Sequence, residues 1–381
     1  MKKKIVVALS GGVDSAVTAY LLKKKGYEVI SVFMQNWDDY LNNNKKKVCT
    51  QNQDWKDASQ IAKQLQIPIF KITFIEEYWE EVFSVFLKDL KKGLTPNPDI
   101  LCNKIIKFNY FVKYVNSQFN PDLIATGHYA AIVYKNNNYY LGKAKDKKKD
   151  QTYFLCQIPQ KILSKIIFPL ADYTKEEVRR IASELNLSNA TKKDSMGLCF
   201  VDQQETNFSS FLEKYLPQKK GDIQEFDNKK KIGEHQGIYF FTLGQRRKLP
   251  ILIHQGPYFV VGKSPKSNTL FVVSGFENDQ LYSSWCLVTD FNWLIPLEDL
   301  LNSLKIENGQ DGLAKFRHQQ TEILVKFKIL DSSCSKVLIN FLEKQRAITP
   351  GQSAVLYSEN ICLGGGTIYE TEKNSSFSEP I

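Results

Sequence analysis

Apolar positions along the first half of the chain switch repeatedly between two periods. Ile5 to Leu9 is an unbroken apolar run, as expected of a strand buried on both faces, and a polar glycine turn, Ser10–Ser15, follows at once. A helix-like stretch then runs from Ala16 to Lys25, and Glu28–Met34 is a second β-rich run. Trp55, Ala58, Ile61, Ala62 and Leu65 fall on one helical face, Pro68–Phe74 reads as a strand, and Glu76 to about Leu90 as an aromatic-rich helix. Asp122–Thr126 is a further buried strand ending at Gly127-His128, and Thr174-Lys175-Glu176-Glu177 is a capping box for a helix to about Leu185. Strands alternating with helices predict an α/β, doubly wound parallel sheet whose ligands bind outside the carboxyl ends of the strands. Ser10–Ser15, Met34 and Gly127-His128 all stand at such ends and predict one nucleotide crevice.

The texture changes after about residue 205. Phe208–Leu216 reads as one short helix, followed by β-like segments at Ile238–Leu243, Tyr258–Val261, Thr269–Val273, Ile323–Ile329, Val337–Phe341 and Ser353–Tyr357. Gly262, Ser264-Pro265, Pro350-Gly351 and Gly364–Gly366 read as turn punctuation between them. The expected organisation is an α/β domain over 1–205, a small central domain over 206–280 and a C-terminal β-barrel over 281–381. The last ten or so residues read as unstructured.

Composition narrows the class. A chain of 381 residues can bury real cores. No apolar stretch approaches the roughly 20 residues of a membrane span, and the basic start Met1–Lys4 leads into a strand rather than a signal peptide, so a cytoplasmic enzyme without membrane partners is expected. Fifty-one basic against 41 acidic side chains leave +10, which suits a polyanionic partner. Seven scattered cysteines without a C-x-x-C pair argue against a disulfide scaffold and a zinc knuckle, so an important cysteine here is a reactive one.

Ser10-Gly11-Gly12-Val13-Asp14-Ser15 carries the clearest chemistry. Gly11 and Gly12 let the backbone approach an anion, and the amides of the turn and of the new helix converge where the helix dipole favours negative charge. The spacing is neither a Walker loop nor a dinucleotide fingerprint. It resembles the SGGxDS loop of enzymes that split ATP into AMP and pyrophosphate. Asp14 is either a carboxylate that helps place Mg²⁺ on the phosphates or a helix cap. Cys102 follows the stiff segment Thr95-Pro96-Asn97-Pro98-Asp99; Asn103 or Asp99 can cap the helix beyond, which would put Cys102 near a helix N-terminus beside Lys104, both features that lower a thiol pKa. Cys199 stands in a polar loop behind the pair Lys192-Lys193, as an activated cysteine or a plain loop residue. Cys156, Cys286, Cys334 and Cys362 read as core fillers, and Cys49 as an exposed thiol without an evident partner.

The ordered blocks SGGVDS, Phe33–Trp37, Thr95–Phe108, Ala125–Ala130, Lys149–Leu155, Lys192–Phe200, Gly233–Gly237, Thr242–Arg246, Thr349–Val355 and Cys362–Gly366 together resemble the bacterial tRNA-specific 2-thiouridylases, the MnmA family. The resemblance runs from residue 10 to 366. It implies an adenine nucleotide alpha hydrolase-like first domain and a tRNA-binding barrel. It assigns Cys102 as nucleophile and Cys199 as persulfide carrier, with a catalytic disulfide between them, and places ATP on Ala8, Leu9, Ser10, Gly11, Gly12, Val13, Asp14, Ser15, Met34 and Gly127. By the same resemblance Asn97, Pro98 and Asp99 meet the target base, and His128, Lys149, Asp150, Gln151, Arg317, His318 and Gln352 contact tRNA. His318 stands where an aromatic residue is usual. The implied reaction adenylates the 2-oxygen of the wobble uridine and replaces it with sulfur from a donor protein, a cysteine desulfurase or a relay. Sulfur arrives either by direct attack of the persulfide or as sulfide liberated by Cys102. Two rival readings are a ligase that aminates an adenylated carbonyl, which needs no cysteine pair, and a nucleotide-regulated RNA-binding protein without catalysis.

Overall fold

The computed structural model describes residues 2–38, 50–193, 208–251, 256–296 and 309–373. Cys49, Cys199 and most of the C-terminal stretch expected to be unstructured lie outside the described residues. The first half builds a parallel sheet of β1 (Lys4–Ala8), β2 (Glu28–Gln35), β3 (Ile69–Thr73), β4 (Leu123–Ala125) and β7 (Ile166–Ile167), in the order β3-β2-β1-β4-β7. Alternate residues of the first apolar run feed two cores: Val6 and Ala8 enter one, Ile5, Val7 and Leu9 the other. That is why the run is unbroken. Helices α1 (Val13–Lys24) and α2 (Thr50–Gln64) cover the second core, with Ala58, Ile61 and Ala62 buried as the helical spacing requires.

The first core is covered by two helical rods that are not α-helical throughout. One runs through Ile75–Tyr78, a π-helical turn Trp79–Phe83 and Ser84–Lys91; the other through Pro98–Leu101, a π-helical stretch Cys102–Tyr110 and Phe111–Phe119. π-Helical insertions are frequent at functional sites, and the second begins at Cys102. Trp37 packs on Tyr78, Trp79, Phe83 and Phe211, which docks the short helix Phe208–Leu212 onto this layer. No helix among the described residues is long and apolar enough to cross a membrane.

Beyond it, β8 (Gly221–Glu225), β9 (Lys231–His235), β10 (Tyr258–Ser264) and β11 (Thr269–Ser274) form a four-stranded sheet in the order β10-β11-β8-β9. Ile238–Leu243 is not the strand its apolar residues predict. Gly237 N–H donates to His235 Nδ1, Phe240 N–H turns back to the Gly237 carbonyl, and Ile238–Phe240 becomes a 3₁₀ turn.

The last segment supplies β12 (Tyr282–Trp293), β13 (Gln310–Lys315), β14 (Ile323–Ile329), β15 (Val337–Arg346), β16 (Ser353–Ser358) and β17 (Ile361–Thr371). They run in the order β12-β15-β14-β13-β16-β17, and pairing of β12 with β17 closes the barrel. Gly364–Gly366 lie inside β17 rather than at a turn: side chains there would strike the Asn292, Ala354 and Thr289 carbonyls of neighbouring strands. Gly262 likewise lies inside β10, at a bulge.

The barrel is not a separate body. Strands β5 (Ala131–Lys135) and β6 (Asn138–Gly142), which fall between β4 and β7 in the chain, form a hairpin whose β6 pairs with β17. Cys156, Val355, Tyr357 and Cys362 share the first core with the helical rods. Tyr153 donates its hydroxyl to the Ser353 and Phe316 carbonyls, and Asn292 donates to the Cys156 and Ile158 carbonyls. At the centre, buried Gln157 donates Nε2 to the carbonyls of Asp290 (3.0 Å) and Gly365 (2.6 Å), while Oε1 accepts from Lys104 Nζ (2.9 Å).

Gln157→Ala strands the buried Gly365 carbonyl and unties the exposed residues Asp290 and Lys104. Orphaned buried groups cost about 1–3 kcal/mol each, so thermal melts should show the midpoint falling by several degrees. An unchanged midpoint would contradict the seam described.

Candidate nucleotide and cysteine site

The glycine turn lies beyond the carboxyl end of β1, between β2 and β4, where the strand order reverses. Gly11 adopts φ +79°, and a Cβ there would also come within 2.5 Å of the Asp54 carbonyl, so no other residue fits. Ser15 Oγ donates to the Gly12 carbonyl (3.0 Å) and accepts from Ser10 N–H (3.2 Å), closing the turn on itself. Gly12 caps α1 with backbone alone, and among the described residues the amides of Val13, Asp14 and Ser15 have no acceptor. Those open amides at the positive end of a twelve-residue helix form a ready anion cradle. Gly127, beyond β4, backs the cradle: a Cβ on it would stand 2.8 Å from Ser15 N and 3.1 Å from Ser15 Cα. Met34, half-buried at the end of β2, borders the same edge.

Two lysines that sequence reasoning does not assign to this site bracket the turn. Lys175 Nζ, from the first residue of the helix Lys175–Glu184, binds both Asp14 oxygens at 2.7 and 2.8 Å, and Tyr129 donates its hydroxyl to Asp14 at 2.9 Å. Lys192 Nζ pairs with Asp54 (2.7 Å) and Asp57 (2.5 Å) on α2 and lies 3.5 Å from the Gly11 carbonyl, which also accepts from buried Asn189 (3.0 Å). Lys192 thus serves the turn, while Cys199 from the same motif lies outside the described residues. Lys175 was hidden in the capping box, which the structure contains in full, with Thr174 and Glu177 bonded reciprocally.

Asp14 is held here by Lys175 and Tyr129 and does not cap the helix with its side chain. A divalent cation at its carboxylate would face the Lys175 ammonium.

The helix bearing Cys102 starts before either expected cap, Asp99 or Asn103. Asn97 is the cap, accepting Asp99 N–H at 3.2 Å, because Pro98 has the fixed φ and missing N–H that suit the first helical position. Asn103 is buried instead and donates to the Phe154 carbonyl. Cys102 is 3 % exposed, and its amide is already bonded within the helix, to the Pro98 carbonyl. Lys104 reaches Gln157 rather than standing free beside the thiol. Burial raises the Asp99 carboxyl above its ordinary range, partly offset by Lys107 and His318. Cys156, Cys286, Cys334 and Cys362 are all buried; burial pushes the Cys156 thiol up to about 12, and these four fill space rather than react.

The residues expected to meet RNA fall into two groups. Arg317 is exposed and His318 half-buried at the barrel rim, with His318 bonded to the Asp150 carbonyl (3.0 Å) and its ring 4.5 Å from that of Phe154. Lys149 is half-buried, and Gln352 donates to the Thr95 carbonyl (2.6 Å), tying the barrel to the Thr95–Asp99 segment. The others point inward. Asp150 is buried, accepting from Ala144 N–H and Thr152 Oγ1, and Gln151 accepts from Tyr129 N–H. His128 is buried between Phe108 and Phe168, bonded through Nδ1 to Thr126 (2.7 Å), and burial holds its pKa well below the usual histidine range.

A family model described as the tRNA methyl transferase HUP domain matches residues 3–203; the tRNA methyl transferase PRC-barrel domain matches 209–274 and the aminomethyltransferase beta-barrel domain 283–368. A tRNA-specific 2-thiouridylase MnmA of Mycoplasma capricolum subsp. capricolum is 46% identical over 377 residues, 97% of this chain and 99% of the relative. The protein of that name from Mycoplasma mobile is 45% identical over 376 residues, 97% of each chain. The one from Staphylococcus epidermidis is 44% identical over 372 residues, 97% of this chain and 96% of the relative.

Two glycine variants separate fold from binding. In Gly12→Ala the new Cβ meets only Ser10 Oγ, at 3.5 Å, so the melting midpoint should hold while calorimetry shows ATP binding weakened. Gly127→Ala should lower both, since overpacking against backbone costs about 1–3 kcal/mol. Acid should also destabilise the protein. His128 and His235 are buried with depressed pKa, so the unfolded chain takes up their protons first; the stability they contribute is full above about pH 6.5 and lost as pH falls. Melts between pH 7.5 and 5.5 test this, and a midpoint that does not fall would count against it.

Proposed function

The chain belongs to the tRNA-specific 2-thiouridylase family, and from that membership we propose that it converts the wobble uridine of tRNA to 2-thiouridine at the expense of ATP. The observation that carries the reading is the coexistence of an anion-ready glycine turn with a cysteine on the helix that opens from Asn97-Pro98-Asp99. ATP is held by Ala8–Ser15, Met34 and Gly127. The uridine 2-oxygen attacks the α-phosphorus, pyrophosphate leaves from the open amides of α1, and the oxygen becomes part of an AMP leaving group. Any Mg²⁺ comes with the nucleotide, carried by phosphate oxygens.

Sulfur arrives from a persulfide on Cys199, loaded by a cysteine desulfurase or a relay protein. Its terminal sulfur attacks carbon 2 and expels AMP. The Cys102 thiolate then attacks Cys199 Sγ, the bond to the transferred sulfur breaks with its electron pair going to thiouridine, and a Cys102–Cys199 disulfide remains. A cellular thiol reductant resets the pair. Cys102 starts buried, so the helix turn carrying it must open for this step. Asn97, Pro98 and Asp99 meet the splayed base, as a single-stranded loop base allows. Arg317, His318, Lys149 and Gln352 line the RNA side, while His128, Asp150 and Gln151 hold that side in place from within.

Incubation with unmodified tRNA, ATP, cysteine and a cysteine desulfurase should yield thiouridine and AMP in equal amounts, read by nucleoside mass spectrometry and nucleotide chromatography. Cys102→Ser and Cys199→Ser should abolish thiouridine. Full activity in Cys199→Ser would favour the amidating ligase, and absence of AMP would leave only RNA binding.

A further inference from the structure

The central sheet carries a loop, Thr242–Lys248, to which the reaction above gives no task. Its backbone is locked. Gly244, at φ +80°, donates to the Val260 carbonyl (2.8 Å), and Val260 N–H donates to the Gln245 carbonyl (3.1 Å), so the loop extends the edge of β10. The Gln245 side chain spans the loop, accepting from Thr242 N–H (3.1 Å) and donating to the Arg247 carbonyl (2.9 Å). Lys248 is held in the left-handed region at φ +61°, which a non-glycine residue adopts only where its surroundings fix it.

This rigid loop presents Arg246, Arg247 and Lys248 in succession, all exposed, and none has an acidic partner among the described residues. Several other exposed lysines pair with carboxylates: Lys231 with Asp222 and Glu234, Lys344 with Asp279, Lys145 with Glu177. The loop is also fixed to the barrel rim. Arg317 Nη2 donates to the Leu243 carbonyl (3.4 Å) and the Ala347 carbonyl (2.9 Å), and a Cβ on Gly244 would collide with Ala347. The loop bearing the three cations therefore adjoins Arg317 at the barrel rim.

We propose that Arg246, Arg247 and Lys248 form a phosphate-binding surface for the tRNA backbone, extending the RNA-binding face from the barrel onto the central sheet. The inference rests on tRNA being the substrate. Three uncompensated cations on a fixed loop suit a regular polyanion, and their continuity with Arg317 selects the RNA already bound there over an acidic protein. Backbone contacts of this kind set register and affinity without reading sequence.

The test is binding of unmodified tRNA by fluorescence anisotropy across a salt series. Compared are the parent chain, Arg246→Ala/Arg247→Ala/Lys248→Ala, the charge-retaining Arg246→Lys/Arg247→Lys, and Lys326→Ala/Lys328→Ala on the outer face of the barrel. The triple variant should bind at least tenfold more weakly at low salt, and its slope of log affinity against log salt should flatten by about 0.7–0.9 for each phosphate it no longer neutralises. The lysine variant should keep the parent slope, and ATP binding and the melting midpoint of the triple variant should be unchanged. Parent affinity and slope in the triple variant would overturn the proposal. So would an equal loss in the Lys326/Lys328 variant, which would reduce the effect to net charge, or a loss in the lysine variant as large as in the alanine one. If the parent chain binds no tRNA, the proposed function itself falls, a result distinguishable from failure of the loop alone.

Discussion

The side-chain amide of Gln157 holds the working parts in register. Its two donors fasten barrel strands at Asp290 and Gly365, and its acceptor fastens the helix of Cys102 through Lys104. Gln157 and the Gly365 carbonyl are buried and satisfy each other, so neither can be moved without cost. Tyr153, Asn292 and Gln352 repeat the arrangement along the same seam. The helix of Cys102 on one half of the chain and the barrel rim bearing Arg317 and His318 on the other are thereby set in one geometry.

The nucleotide turn is organised differently, by charge. Lys175 and Lys192 approach from the segment after β7 and engage Asp14 on one side and Asp54 with Asp57 on the other. The carboxylates around the cradle are neutralised before any phosphate arrives, which removes repulsion that would oppose nucleotide binding. Lys192 is also close in sequence to Cys199, so the chain leading to that cysteine is anchored at the nucleotide turn.

Much of this was legible. The run Ile5–Leu9 read as a strand because burial on both faces leaves no polar position, and the helical spacing of Ala58, Ile61 and Ala62 survived because those residues face a core. The glycine turn was legible because its conformation admits almost no other residue at Gly11. Readings failed where one residue type serves two ends. Gly364–Gly366 look like punctuation, yet they allow close approach of strands within the sheet. Ile238–Leu243 is apolar enough for a strand, but the buried His235 turns the backbone away. The β5–β6 hairpin had a signal in Asn136-Asn137, both at positive φ between aromatic runs, although its pairing partner lies far along the chain. Lys175 could not be found because an ion pair across folded elements leaves no local pattern.

That hairpin also bears on how the molecule comes into being. Strand β17 is the last strand among the described residues, and it both closes the barrel on β12 and receives β6 from the first half. During synthesis the amino-terminal half therefore emerges with an unpaired strand edge and an unfinished core, waiting for a partner more than 200 residues further along the chain. Contacts of such sequence separation form late and slowly. A chain that stops short of β17 loses more than a terminal strand: the layer that supports Cys102 is left open to solvent, and the product is a target for quality control rather than a weakened enzyme.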